Sequence, residues 1–118
     1  MRSGLLGTDV DFAIHQGELK VVESSFHLQD GKLGPELSVV GVLTNASPLA
    51  WKNIQVEAQL FNASGKLIDS ITERKFDQAV LPHDAVSFRL LEKAAREKPE
   101  YASHKVTVRF ARDGRNPW

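Results

Sequence analysis

The chain has 118 residues, with 15 Lys+Arg against 15 Asp+Glu, so its formal net charge is zero, and it has no cysteine. At 42% hydrophobic and 25% charged residues it has the composition of an ordinary globular domain, one able to bury roughly two-thirds of its unfolded surface. Disulfides, zinc ribbons and thiol chemistry are excluded, the charge balance argues against nucleic acid as a partner, and no run approaches the ~18 apolar residues of a membrane helix.

Residues 1–7 carry one positive charge and no apolar stretch, so they read as a loose end rather than a signal peptide. A membrane anchor ahead of them would leave no trace here. Val10, Phe12 and Ile14 then alternate with Asp9, Asp11 and Ala13, which predicts a half-buried first strand. Asp9 and Asp11 on one face mark solvent or a guarded edge. Gln16-Gly17 supplies a turn, and Leu19 to Leu28 predicts a second strand, with Val22, Phe26 and Leu28 on one face. Asp30-Gly31 is a strong turn signal, and Gly34-Pro35 adds a second break.

Ser38 to Thr44 is almost continuously apolar, as in a central strand covered on both faces, and Asn45-Ala46-Ser47-Pro48 closes it. Ile54, Val56, Ala58 and Leu60 alternate with polar residues in the clearest strand. Asn62 to Gly65 connects it to a return strand over residues 67–74. After the turn Leu81-Pro82-His83-Asp84, two more alternating strands carry Val86, Phe88 and Leu90, then Val106, Val108 and Phe110. Between them, residues 91–98 are rich in helix formers and end at Pro99, which predicts one short helix. Residues 113–118 form a loose tail. The reading is a single all-β domain over residues 1–118: seven antiparallel strands in a sandwich plus that helix. Its predicted core is Phe12, Val42, Ile54, Val56, Leu60, Phe88, Leu90, Val106, Val108 and Phe110.

No catalytic, cofactor-binding or metal-binding residues emerge. His15, His27, His83 and His104 lack ligand spacing, and neither a Gly-x-Ser-x-Gly elbow nor a phosphate-binding glycine loop occurs. Trp51 is the conspicuous aromatic. It reads either as cover for one end of the core, its indole N–H near water, or as an exposed ligand anchor. Charge is uneven: residues 1–88 hold 7 basic and 11 acidic residues, residues 89–118 hold 8 and 4. Such charge ordinarily solvates exposed faces. The alternative is a basic end that meets an acidic partner or anionic lipid heads. Trp51, Arg109 and Arg112 are the candidate interaction-surface residues. Two Asn-Ala-Ser sequons, at Asn45 and Asn62, read as turn chemistry, or as glycan acceptors in a eukaryotic secretory protein. Asn45 is expected to brace its turn, and its alanine variant to lose about 1–2 kcal/mol.

Residues 37–47, then Trp51 to Asp69, then Leu81-Pro82 and Phe88, resemble the FxLYD domain family. That family carries a strand with V-G-x-V-x-N, a strand ending in F-x-L-Y-D-x-x-G, and an L-x-P-G turn ahead of an F-x-V strand. Here Ala58 stands in place of the first Phe, Phe61 of Tyr, Asn62 of Asp and His83 of the turn Gly. The match covers roughly residues 37–110. The resemblance implies a bacterial immunoglobulin-like or fibronectin-like sandwich outside the cytoplasm, periplasmic or at the cell surface, often behind a membrane anchor and without catalysis or cofactor. The expected function is therefore a non-catalytic interaction or accessory module with a protein partner. The alternatives are a structural spacer or self-association domain of a larger membrane-anchored protein and, last, an enzyme or metal protein with a dispersed His/carboxylate site.

Overall fold

The computed structural model describes residues 12–75 and 79–113. Six strands form two antiparallel sheets of three. β1 (Leu19–Gly31), β2 (Gly34–Asn45) and β5 (Ala85–Lys93) make one sheet in the order β1-β2-β5. β3 (Trp51–Phe61), β4 (Leu67–Lys75) and β6 (Ser103–Asp113) make the other in the order β4-β3-β6. Leu37, Val39 and Leu43 from β2 meet Ile54, Val56 and Leu60 from β3 in one core, all fully buried.

The seven-strand expectation becomes six strands among the described residues. Of the predicted first strand, residues 9–11 lie outside them, and residues 12–15 are helical, running into a 3-10 turn at Gln16–Glu18. Phe12 is nonetheless a core residue, 5% exposed, its ring set edge-on 5.8 Å from Trp51 and 5.8 Å from Phe110. β1 runs past the expected turn. Gly31 pairs with Gly34, and the hairpin loop is Lys32-Leu33. Gly34, at φ +119, supplies the backbone conformation that starts the return strand, so Gly34-Pro35 opens β2 rather than breaking the chain.

β2 is central in its sheet but covered on one face only. Leu37, Val39, Gly41, Leu43 and Asn45 are buried while Ser38, Val40, Val42 and Thr44 are half-buried on the outer face, so Val42 leaves the predicted core. Gly41 is required by a close approach. A Cβ there would lie 2.7 Å from the Phe88 ring and 2.8 Å from the Glu23 carbonyl, beside the bulge where β1 carries one extra residue at Val22.

The expected helix at 91–98 is absent. β5 continues to Lys93, because residues 91–93 pair with Glu36, Leu37 and Ser38 of the long β2, and the Ala94 N–H then donates to the Pro35 carbonyl at 2.9 Å. Ladder bonds with a strand already in place outweigh helix propensity. Only Lys98–Glu100 forms a 3-10 turn, with reciprocal bonds between Glu97 and Glu100 at its start.

Two opposed bulges shape the β3–β6 ladder. β6 carries an extra residue at Arg109, between the pairs Val56–Val108 and Gln55–Phe110. β3 compensates before Lys52–Arg112, where Asn53 adopts φ +50. Each bulge shifts the side-chain alternation by one. Val108 and then Ala111 are therefore buried, while Val106 and Phe110 pack half-buried against the core.

Candidate interaction surface

Of the three residues singled out as contacts, Trp51 is not at the surface. It is 0% exposed, and its indole N–H donates to the Ser47 hydroxyl at 2.8 Å rather than to water. Its backbone exchanges two bonds with Val80, of 3.0 and 2.7 Å. The reading of Trp51 as a ligand anchor therefore gives way to that of a core residue. Arg109 and Arg112 do belong to one region of β6. Arg109, with its side chain 60% exposed, lies 3.7 Å from Glu57. Arg112 is half-exposed opposite Lys52 in register. With exposed Lys105 they line the strand with positive charge.

Asn45 and Ser47, the buried polar residues among those described, are occupied in holding the turn after β2. The Asn45 carboxamide donates to the carbonyls of Leu49 at 2.7 Å, Val80 at 3.1 Å and Leu81 at 3.1 Å. Its oxygen accepts from the Ser47 N–H at 3.0 Å and stands 2.7 Å from the Ser47 hydroxyl. At 1% exposure the amide is closed to a glycosylating enzyme in the folded protein. Asn62 performs the same turn chemistry at the surface, accepting from the N–H groups of Ser64 at 3.1 Å and Lys66 at 2.9 Å.

The histidines are dispersed. His15 pairs with Glu18, His27 meets the Ser25 hydroxyl at 3.1 Å, and His104 meets the Ser24 hydroxyl at 2.8 Å. His83 occupies the turn before β5 at φ +63. Among the described residues no three His, Asp or Glu side chains are grouped to hold a metal.

Tyr101 and Asp69 were not singled out in the sequence. Tyr101 is 8% exposed, and its hydroxyl donates to Asp69 at 2.6 Å and accepts from the Arg96 N–H at 3.1 Å. Asp69 also takes the Ala95 N–H at 3.0 Å, so one carboxylate ties the β5–β6 connection to β4. Burial first, then the bond to Asp69, pushes the Tyr101 hydroxyl up to about 12. A lone tyrosine ahead of a strand was the only sequence signal, and its partner lies 32 residues away.

The geometry thus defines an all-β domain of two sheets with a basic outer strand. No protein-family model matches the chain, and no curated protein or solved structure matches it.

Proposed function

We propose that the chain is a non-catalytic, extracytoplasmic interaction module of the FxLYD type, with an immunoglobulin-like arrangement of strands. Several features support the fold part. Lettered along the chain, the sheet orders β1-β2-β5 and β4-β3-β6 agree with the orders A-B-E and C′-C-F expected of such a sandwich, which supports this reading. Tyr101 stands ahead of β6 and bonds to the backbone five residues upstream, as the tyrosine corner of such sandwiches does. Two positions of the family motif have physical reasons here. Gly41 lies under the Phe88 ring, and His83 holds left-handed φ where the motif has glycine.

The observation that carries the functional part is how the polar groups are used. Asn45, Ser47, Asp69 and Tyr101 spend their hydrogen bonds on turns and on a loop. What the domain offers a partner is strand edges and the cations of β6. The spacer or self-association alternative draws on a different feature: Leu33 and Leu91, 82% and 55% exposed, at the hairpin end of the first sheet.

The test is cell fractionation of the natural gene product, with photo-crosslinkers in place of Arg109 and Arg112. Crosslinks to a different protein outside the cytoplasm support the reading. Crosslinks confined to copies of the chain favour self-association, and a cytoplasmic product overturns the location.

A further inference from the structure

β1 and β6 are outer strands of different sheets, and their free edges face the same seam. Among the described residues, neither of these edges is paired in a ladder. The seam floor is apolar: half-buried Val21 and Val106 lie beside buried Leu19 and Val108. One end is closed by the Ser24–His104 bond of 2.8 Å, with the Phe26 and His104 rings 5.3 Å apart. Gln16, in the turn before β1, borders the recess near its other end. The recess holds about 290 Å³. That is at the foot of the roughly 300–1,000 Å³ range that buries a small molecule. A strand needs less room, because its affinity comes from main-chain bonds along an edge and from pockets for alternate side chains.

Resting on the interaction-module reading, we propose that this seam accepts an extended segment of a protein partner in which apolar and acidic residues alternate. Charge complementarity selects the occupant. Lys20 on β1 and Lys105 and Arg109 on β6 are exposed along the two strands, against one exposed acid, Glu23, on this stretch of β1. The Arg109–Glu57 contact is long, 3.7 Å, with the Arg109 side chain 60% exposed, so an incoming carboxylate can compete for that guanidinium. Lysines and arginines on an edge ordinarily guard it against pairing. The same cations leave the edge open to a strand that brings compensating acids, which makes the guard selective. A second copy joined β6 to β6 would set Lys105 and Arg109 against their own equivalents, so it is disfavoured. The stretch from Lys105 to Arg109 spans about 17 Å in extended form, enough for a strand of five residues with two apolar side chains on the seam floor.

The experiment uses the whole chain and two synthetic probes, a peptide of alternating valine and glutamate and its valine–lysine counterpart. Amide hydrogen exchange is followed by NMR at low salt. The glutamate peptide is expected to slow exchange at residues 19–21 and 105–109, and the lysine peptide to leave them unchanged. The double variant Lys105→Glu, Arg109→Glu, changed only at exposed positions and checked by its melt, is expected to bind the glutamate peptide at least tenfold more weakly. No protection at the seam, protection elsewhere, or affinity indifferent to the charge reversal overturns the proposal. Seam protection in the free chain that rises with protein concentration assigns the seam to a second copy and also overturns it. Protection in dilute free chain that is lost in Asp9→Lys, Asp11→Lys assigns the seam to the chain's own N-terminal residues and overturns it as well. A partner crosslinked at Arg112 while the seam amides stay unprotected sinks the seam and leaves the interaction-module reading standing. A cytoplasmic product overturns the extracytoplasmic part of that reading and, if the peptide binds, leaves the seam standing.

Discussion

The carboxamide of Asn45 reaches three backbone carbonyls and the N–H of Ser47 from a site 1% exposed. Replacing it with alanine strands several buried polar groups at once, each worth on the order of 1–3 kcal/mol when left unpaired. Relaxation and water recover part of this, so Asn45→Ala is expected to cost about 3 kcal/mol, above the 1–2 kcal/mol anticipated from the sequence. Chemical denaturation measures the cost, and a loss under about 0.5 kcal/mol would match an ordinary surface site instead. The turn was legible, because Asn-Ala-Ser-Pro after an apolar run has few other readings. The mechanism was only half legible. The side-chain bonding was anticipated, but not how far it reaches, to carbonyls of Val80 and Leu81 some 35 residues along the chain. His83, at left-handed φ, supports an opposite prediction. A non-glycine residue in that region is strained by roughly 1–2 kcal/mol, and glycine returns part of the gain as unfolded-state entropy. His83→Gly is therefore expected to raise stability by about 0.5–1 kcal/mol, seen as a higher denaturation midpoint. An unchanged or lower midpoint refutes it.

At the scale of elements, one carboxylate, Asp69, gathers the Tyr101 hydroxyl and the Ala95 N–H of the connection between β5 and β6. Tyr101→Phe removes the donor to Asp69 and the acceptor of the Arg96 N–H, and is expected to cost about 1–2 kcal/mol. The pH dependence has a definite sign. An unfolded chain releases the tyrosine proton near 10, whereas the folded one holds it to about 12. Between those values the unfolded state binds fewer protons, so the contribution of Tyr101 is complete below pH 10 and is lost as pH rises to 12. Denaturation midpoints of wild type and Tyr101→Phe should converge over that window. A constant gap between them refutes the account. β2 carries the other element-scale prediction. Gly41→Ala sets a methyl against the Phe88 ring and the Glu23 carbonyl, and is expected to cost about 1–3 kcal/mol. Gly41→Ala combined with Phe88→Leu should recover part of the loss if the ring is the obstacle, and none if the carbonyl is. The glycine was visible in the sequence as an interruption of an apolar strand, but its cause, a ring and a bulge from two other strands, was not.

For the whole molecule, the two sheets share one core, to which Leu37, Val39 and Leu43 contribute from one side and Ile54, Val56 and Leu60 from the other. Neither sheet can keep its buried face without its neighbour. Thermal unfolding should therefore be one cooperative transition, with calorimetric and van't Hoff enthalpies equal. Two resolved transitions would show sheets that fold apart. Exposed ion pairs such as Lys98–Asp30, at 2.8 Å, contribute little to that stability, so added salt should shift the midpoint only slightly.

What the sequence by itself determined is what depends on near neighbours. Period-two alternation placed β3, β5 and β6, the tight connection at Asn62 to Gly65 placed β4 as a return strand, and turn chemistry placed the breaks at Asn45, Asn62 and Leu81. Tertiary structure decided what depends on residues far along the chain. Residues 91–93 are strand because β2 offers them a ladder, against their own propensity for helix. Trp51 is buried because Phe12 and Ser47 close over it, although its place beside a proline turn left both readings open. Phe110 and Ala111 take the places they do because of a bulge at Arg109, which alternation alone cannot reveal. Arg109 and Arg112 could be named from charge, but the seam along their strand is formed by β1 and β6, the first and last strands among the described residues. Local pattern encodes only which face of a strand is apolar. Which edge stays open, and what lies across from it, is settled when the sheets pack.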